Sequence, residues 1–342
     1  MSARVKLCAI ARNEGPYLPD WIFHHLHFGF DAIELLLNGT DDGSGRIVQR
    51  IAEKYPQVTK RNGDRLLEKC LSASRSFQFA AYARQARRAE REGFSHVAFL
   101  DLDEYWTPRD FVTPIQDFLP SDPDVNVVSF PWCLDVPEEG RLPFAEPFVG
   151  PVILQLDRHV KSVGRLDDSL KKPMIHTFKT HGGKRMLVRD PFPAFDQRAQ
   201  KSGSMVADDY LHSSWHELPE AFVLHAINRS QQEYLGSLTK GQWQTGSPTE
   251  FKLGRTGYVA TDAPLLEFEP PSRALRRYQR RRKAFQRRVR LDELSNTARR
   301  RYLERAELLA LRVQSDPEVG GRLAEALRGT HLEFVSDPSH GG

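Results

Sequence analysis

The chain has 342 residues, 39% of them hydrophobic and 27% charged, with 23 Gly and 22 Pro, a balance that suits one large or two modest soluble domains and excludes a collagen-like, coiled-coil or disordered chain. The net charge of +4 is unevenly placed, because residues 273–290 hold ten basic side chains and no acid and the rest of the chain is net acidic. Cys8, Cys70 and Cys133 lie far apart with no C-x-x-C pair, which excludes a disulfide framework or a cysteine zinc site, and no apolar run is long enough to span a bilayer, so the expectation is a cytoplasmic protein.

Residues 5–11 form a short apolar run closed by Arg12-Asn13-Glu14-Gly15-Pro16, which reads as a buried strand entering a loop. Trp21, Ile22, Leu26 and Phe28 recur near helical spacing after Pro19-Asp20, with Gly29 as a stop. Residues 33–37 are a second buried strand, and Asn38-Gly39-Thr40-Asp41-Asp42-Gly43-Ser44 after it is dense in turn formers. Helices are expected over 47–55 and 76–92, a strand over 96–100 that runs into Asp101-Leu102-Asp103-Glu104, and another strand over 125–132. Shorter strand-like pieces follow at 152–156, 174–178, 185–188 and 222–225, then a helix over 230–238. After Pro270-Pro271 the composition shifts to Arg, Leu, Ala and Glu, which predicts two or three helices between 272 and 328.

Strands alternating with helices predict a largely parallel α/β sheet whose ligands sit outside the carboxyl ends of the strands. The polar clusters 12–14, 38–42 and 101–104 all follow such ends, so sequence-distant loops should converge on one rim.

Asp101 and Asp103 flank one residue at the end of a buried strand. In an extended segment residues i and i+2 point the same way, so both carboxylates could reach one Mg²⁺ or Mn²⁺. A hard cation held by one or two carboxylates completes its shell with water and phosphate oxygens, which makes a diphosphate the natural partner. A solvated acidic turn is the plain alternative.

Ala11-Arg12-Asn13-Glu14 with its following helix, Asn38-Gly39-Thr40-Asp41-Asp42-Gly43, and Phe99-Leu100-Asp101-Leu102-Asp103-Glu104-Tyr105 together resemble the family-2-like glycosyltransferases of the GT-A fold. His225-Ala226-Ile227-Asn228-Arg229-Ser230-Gln231-Gln232-Glu233-Tyr234-Leu235 is similar to the His-x-x-x-Lys-Ser-x-Glu-Glu-Phe stretch of one branch. The resemblance implies a GT-A-like (Rossmann-like) sheet, a nucleotide-diphosphate sugar donor, usually UDP-linked, and Mn²⁺ or Mg²⁺ bridging the acidic motif and the diphosphate. By position it makes Asp103 the main metal ligand and Asp101 a contact to the ribose or, through water, to the metal. Asn38 matches the base-reading position and Asp42 a nucleotide contact or the support of one, while Arg12, Asn13 and Glu14 line the same pocket. Leu37 stands where many relatives carry Asp, which leaves the base open. His225 matches a third metal or diphosphate ligand, with His176 and His181 as competitors. Arg229, whose fork suits phosphate oxygens, could neutralise the leaving nucleotide.

Members of this kind are generally inverting, and inversion needs a carboxylate to take the proton of the acceptor hydroxyl, by analogy with the inverting hydrolases. Asp135, after Phe130-Pro131-Trp132, is the first candidate, with Asp208 and Asp209 as alternatives. Trp132, Trp215 and Trp243 could stack on sugar rings, although core packing is the commoner use. The basic helix has three readings: docking on the acidic body, lying on the anionic inner face of a membrane, or binding a polyanion such as nucleic acid, for which no motif speaks.

The sequence therefore predicts a glycosyltransferase domain over 1–245 and a mainly helical, basic extension over 246–342, acting on a glycan, lipid or protein acceptor. A metal-dependent nucleotidyl- or phosphotransferase, or a non-catalytic protein that binds polyanions or membrane surfaces, are the alternatives.

Overall fold

In the computed structural model, which describes residues 3–188, 203–207, 218–241, 249–258 and 264–333, β1 (Val5–Ala11) is buried along almost its whole length. α1 (Leu18–His27) follows, opened by a proline in its first turn and ended by Gly29 at φ +91°. β2 (Ala32–Leu37) and α2 (Ser44–Ala52) come next, then β3 (Val58–Asn62) and α3 (Asp64–Ser72), which the sequence pattern did not reveal. α4 (Phe77–Arg91) starts where Ser76 caps it, and β4 (His96–Phe99) leads to the acidic turn.

β5 (Glu104–Pro108) begins at once after that turn, β6 (Val125–Asp135) extends past the expected end, and β7 (Val152–Arg165) is one long strand where only its first residues were expected. The piece expected over 174–178 is instead the turn between β8 (Leu170–Pro173) and β9 (Phe178–Thr180), closed by Met174 N–H donating to Thr177 O. β10 (Lys184–Leu187), β11 (Ala221–His225), α5 (Gln231–Leu238) and β12 (Leu265–Phe268) precede three helices: α6 (Ser272–Val289), α7 (Asp292–Ser315) and α8 (Pro317–Leu327).

The main sheet has the order β3-β2-β1-β4-β7-β6-β11-β5, with β10 beside β6 and β12 beside β7. Its pairings make the sheet mostly parallel, with only β5 and β7 reversed among the described strands. The carboxyl ends of β1, β2, β4, β6 and β11 therefore share one edge. The chain runs outward from β1 through β2 and β3, then returns to the other side of β1 with β4, so the switch in strand order lies between β1 and β4, where an α/β sheet opens a crevice for ligand.

The helices beyond residue 245 share cores with what precedes them. Tyr278 and Phe285 of α6 pack on α1 and its neighbourhood, edge-on with the ring centroid 5.0 Å from Phe23 and tilted at 4.8 Å from Tyr55 respectively, inside the cluster that contains β1 and β2. Buried Arg282 donates to both carboxylate oxygens of Asp20, at 2.7 and 2.9 Å. α7 and α8 close a second cluster over Tyr234, Leu235 and Leu238 of α5. Among the described residues no helix is long and apolar enough to cross a membrane.

The Ser-x-x-Glu of the 225–235 motif has a local explanation. Ser230 Oγ accepts from Glu233 N–H at 3.2 Å and Glu233 Oε2 accepts from Ser230 N–H at 3.1 Å, a reciprocal box that caps α5 in a buried setting. Ser230→Ala is expected to cost about 1–2 kcal/mol, read as a lower urea midpoint at unchanged m-value; an unaltered midpoint would show that the cap carries no stability.

Candidate functional site

The loops after β1 and β2 are built on each other. Asp42 Oδ2 accepts from Gly15 N–H at 2.8 Å, and its Oδ1 accepts from Ser44 N–H and Ser44 Oγ–H at 2.9 and 2.6 Å, so the carboxylate is spent on tying the two loops together and starting α2. Asn13, at φ +54°, accepts from Asp41 N–H through Oδ1 at 2.9 Å. Both residues thus shape the rim. Asn38 is buried with its Oδ1 unpartnered, at the edge of a cleft of about 660 Å³ shared with Thr40, Asp41, Arg46 and Asp64.

The acidic motif is not extended. Glu104 N–H donates to Asp101 O at 3.0 Å, closing a turn, and the two Asp side chains take different partners, Lys161 and His225. This corrects the expected i, i+2 convergence: the strand ends before Asp101, so strand alternation no longer applies. The Asp101 carboxylate is 43% exposed and reaches Lys161, 3.2 Å away on β7; Lys161 is itself 1% exposed and 3.1 Å from Glu104 Oε2. Burial works against the Lys161 charge, but Asp101 and Glu104 outweigh it and keep the ammonium protonated. Burial lifts fully enclosed Glu104 to about 7, Lys161 restraining the rise.

Asp103 turns the other way. Its Oδ2 lies 3.6 Å from His225 Nε2, across the β5–β11 ladder that pairs Glu104 with His225. Burial pushes the Asp103 carboxyl up, yet His225, by charge and hydrogen bond, with Arg229 and Arg255 behind it, holds it well below the usual range. Ala226 N–H donates to Asp103 O at 2.8 Å, and Arg229 Nη2–H donates to Leu102 O at 3.0 Å, so the 225–229 segment grips the acidic turn by its backbone. Arg229, at φ +52°, also lays its guanidinium 3.3 Å over the Tyr17 ring.

The rim between these parts is rich in cations. Lys240 is buried, 2.7 Å from Glu14 Oε1, and its ammonium sits 4.7 Å over the Tyr302 ring. Arg12 Nη1–H donates to Lys240 O at 2.9 Å. Burial opposes the Arg229 charge, and the facing Tyr17, Glu14 and Asp103 more than restore it. Lys252 is brought down to about 8 by burial and by Lys240 and Arg255. Arg229, Lys240, Lys252 and Arg255 thus gather around two carboxylates, Glu14 and Asp103. α7 closes the rim from outside: Arg305 Nη2 is 2.9 Å from Asp41 Oδ1, Arg301 donates to Asp41 O, and a Cβ on Gly15 would lie only 2.8 Å from Ala298 Cβ.

Asp135 ends β6. Leu134 pairs with His225, so Asp135 stands beside Ala226 on the same edge. It is buried, held by both arms of Arg141, and lines a cavity of about 380 Å³ with Tyr17, Tyr105, Arg229 and Arg299. Trp132 packs 4.2 Å from the His225 ring and near His159 and His176. His176 has an unpartnered Nδ1 and is driven to about 3, by burial first and then by Lys161, whereas His181 is exposed on the loop after β9. Asp208, Asp209, Trp215 and Trp243 lie outside the described residues.

For a divalent cation, the donors that face each other are Asp103 Oδ2 and His225 Nε2, 3.6 Å apart. Among the described residues no group of three or more His, Cys, Asp or Glu is arranged to hold a metal. The set fits an ion whose shell a diphosphate completes, and does not form a self-sufficient metal centre. Sequence reasoning missed Lys161, Lys240, Tyr17 and Arg141. Only Lys161 carried a signal, as a charge set between Val160 and Val163 in β7.

No protein-family model matches the chain, and no curated protein matches it. Among solved structures it is similar to the mannosyltransferase PcManGT from Pyrobaculum calidifontis in complex with GDP-Man and Mn²⁺, at 21% identity over 38% of this chain and 36% of that chain, with a TM-score of 0.30. It is also similar to an active-site mutant of LgtC, at 13% identity over 67% of this chain and 89% of that chain, with a TM-score of 0.34. The chain spans little more than a third of the mannosyltransferase. Scores this low carry no chemistry from one protein to another.

Proposed function

We propose that the protein is a glycosyltransferase that moves a sugar from a nucleotide-diphosphate donor, with inversion, to a hydroxyl acceptor. The reading is supported chiefly by one observation: Arg229, Lys240, Lys252 and Arg255 crowd two carboxylates at the strand-order switch point, a charge excess that a diphosphate would neutralise. The donor's base and ribose occupy the cleft beside Asn38, and Asn38 Oδ1 is the free acceptor there. Asp103 and His225 would hold Mn²⁺ or Mg²⁺, which when bound supplies positive charge against the phosphates.

The chain's own residues do the rest. Arg229 and Lys240 hold phosphate oxygens as the sugar–phosphate bond breaks, and the Tyr17 ring and the Leu102 carbonyl keep the guanidinium aimed. Asp135, oriented by Arg141 at the wall of the second cavity, accepts the proton of the acceptor hydroxyl as the new bond forms.

The experiment is thermal unfolding against UDP, GDP, ADP and CDP, each with Mn²⁺ and with EDTA. A ligand at 100 times its dissociation constant adds about 2.7 kcal/mol, a shift of several degrees that one diphosphate should show in a metal-dependent way. A flat panel in a folded sample would reject the donor site.

A further inference from the structure

We infer that the protein docks on an anionic membrane surface through the outer face of α6. The helix has 18 residues and is about 27 Å long. Its apolar residues point inward: Ala274, Tyr278, Phe285 and Val289 are buried on the body, and Arg282 is taken up by Asp20 and Glu146. The rest of its circumference carries exposed Arg273, Arg276, Arg277, Arg280 and Arg287, with exposed Arg281 on the flank toward His27. Many stand four residues apart, as Arg273 with Arg277, Arg276 with Arg280 and Arg277 with Arg281, where like charges repel and weaken a helix. Among the described residues none of the six has a carboxylate within ion-pair distance.

A body-docked helix needs only its inner face, so docking leaves this array unexplained. An external polyanion explains it, and the chemistry of the face favours lipid headgroups over nucleic acid. Gln279 and Gln286, the amides that could read base edges, are half-buried. No aromatic ring lies on the outer face to stack on a base, since Tyr278 and Phe285 are inside. Val112, 53% exposed, instead stands beside Arg273, Arg276, Arg277 and Arg280 at the edge of a groove of about 700 Å³, where the one acid, Asp110, is engaged by Val112 N–H and Thr113, an apolar knob that suits the headgroup layer. Arg282 meanwhile ties the inner face of the same helix to Asp20 and Glu146 of the proposed acceptor cavity, so that cavity lies about one helix diameter, 10–12 Å, from the docked surface.

The test is sedimentation of the full chain with phosphatidylcholine vesicles, with and without one-third phosphatidylglycerol, at low and near-physiological salt. Binding should require phosphatidylglycerol and weaken with salt. Each basic residue near an anionic leaflet is worth about fivefold in partitioning, so the quadruple variant Arg276→Glu, Arg277→Glu, Arg280→Glu, Arg281→Glu should lose at least about a hundredfold. The corresponding quadruple Gln variant, which keeps helix propensity, serves if the Glu variant fails to fold. Equal binding to both vesicle types, wild-type binding by either folded variant, or tighter binding of a random-sequence duplex than of vesicles at equal phosphate would each overturn the inference. The nucleotide-dependent thermal shift of the same variants, measured without vesicles, should be unchanged, which separates this inference from the donor site.

Discussion

Asp103→Asn is expected to remove the metal-dependent part of nucleotide binding, lowering affinity in Mn²⁺ by a hundredfold or more while leaving binding in EDTA nearly as before. The carboxylate faces His225 and the Arg229 and Arg255 cations. An amide of the same shape keeps the packing but supplies no charge for a hard cation, and even residues that merely support a ligand change metal affinity by about 10–100-fold. Asp101→Asn should have a smaller effect, because one Asp101 oxygen is engaged by Lys161, which retains Glu104. Losing the contact to His225 should lower the melting temperature by no more than a few degrees. Isothermal titration of the diphosphate that responds in the thermal panel, with and without Mn²⁺, checks both variants. Wild-type affinity in Asp103→Asn would remove Asp103 from the site.

The second large effect is acid lability. His24 and His25 on α1 are both 0% exposed, and their partners leave each ring one donor and one acceptor. His25 Nδ1–H donates to Trp21 O at 2.8 Å while Nε2 accepts from Trp106 N–H at 3.2 Å. His24 Nε2–H donates to Trp106 O at 2.9 Å, and Nδ1 faces the Tyr278 hydroxyl at 3.1 Å. A second proton on His25 has no acceptor, because Nε2 faces a backbone N–H, and on His24 it would meet only the Tyr278 hydroxyl. Burial accordingly takes His25 down to about 3 and His24 well below its usual value, with neighbouring His25 adding to the latter.

His27 and His96 fall to about 4, again through burial, helped at His27 by Arg281 and Arg277 and at His96 by Arg165. The unfolded chain binds these protons near pH 6.5 and the folded chain only below about 4. The stability they confer is therefore present above pH 6.5 and lost as pH falls through that window. At pH 5 each fully buried ring accounts for about 2 kcal/mol. Urea midpoints should fall steeply between pH 7 and pH 5, with net proton uptake on unfolding. A flat profile over that range would mean that the rings are protonated in the native state.

Much of the rim was legible before any coordinates. β1, β2 and β4 are buried on both faces, so their apolar runs stand out, and the turn formers and acids that close them mark the strand ends. The helices over 77–91 and 231–238 were legible because Ser76 and Ser230 announce them. β5 was not, since Glu104-Tyr105-Trp106-Thr107-Pro108 acquires its strand character by pairing with β11, more than a hundred residues later. The apolar reading of β1 and β2 also passed over Lys6 and Glu34, whose charges meet at 2.8 Å in the interior.

The sequence by itself determined the order of elements, the parallel sheet and the gathering of the 12–14, 38–42 and 101–103 loops at one edge, because hydrophobic period and turn chemistry act over a few residues. Only the tertiary structure decided which charges meet there. Asp101 went to Lys161, Asp103 to His225, Glu14 to Lys240 and Asp135 to Arg141, and a C-terminal helix was laid over the rim. All but the last of these ion pairs join segments far apart in the chain, and strand register together with helix packing selects them. A carboxylate's sequence neighbours cannot specify which cation the fold will bring to it.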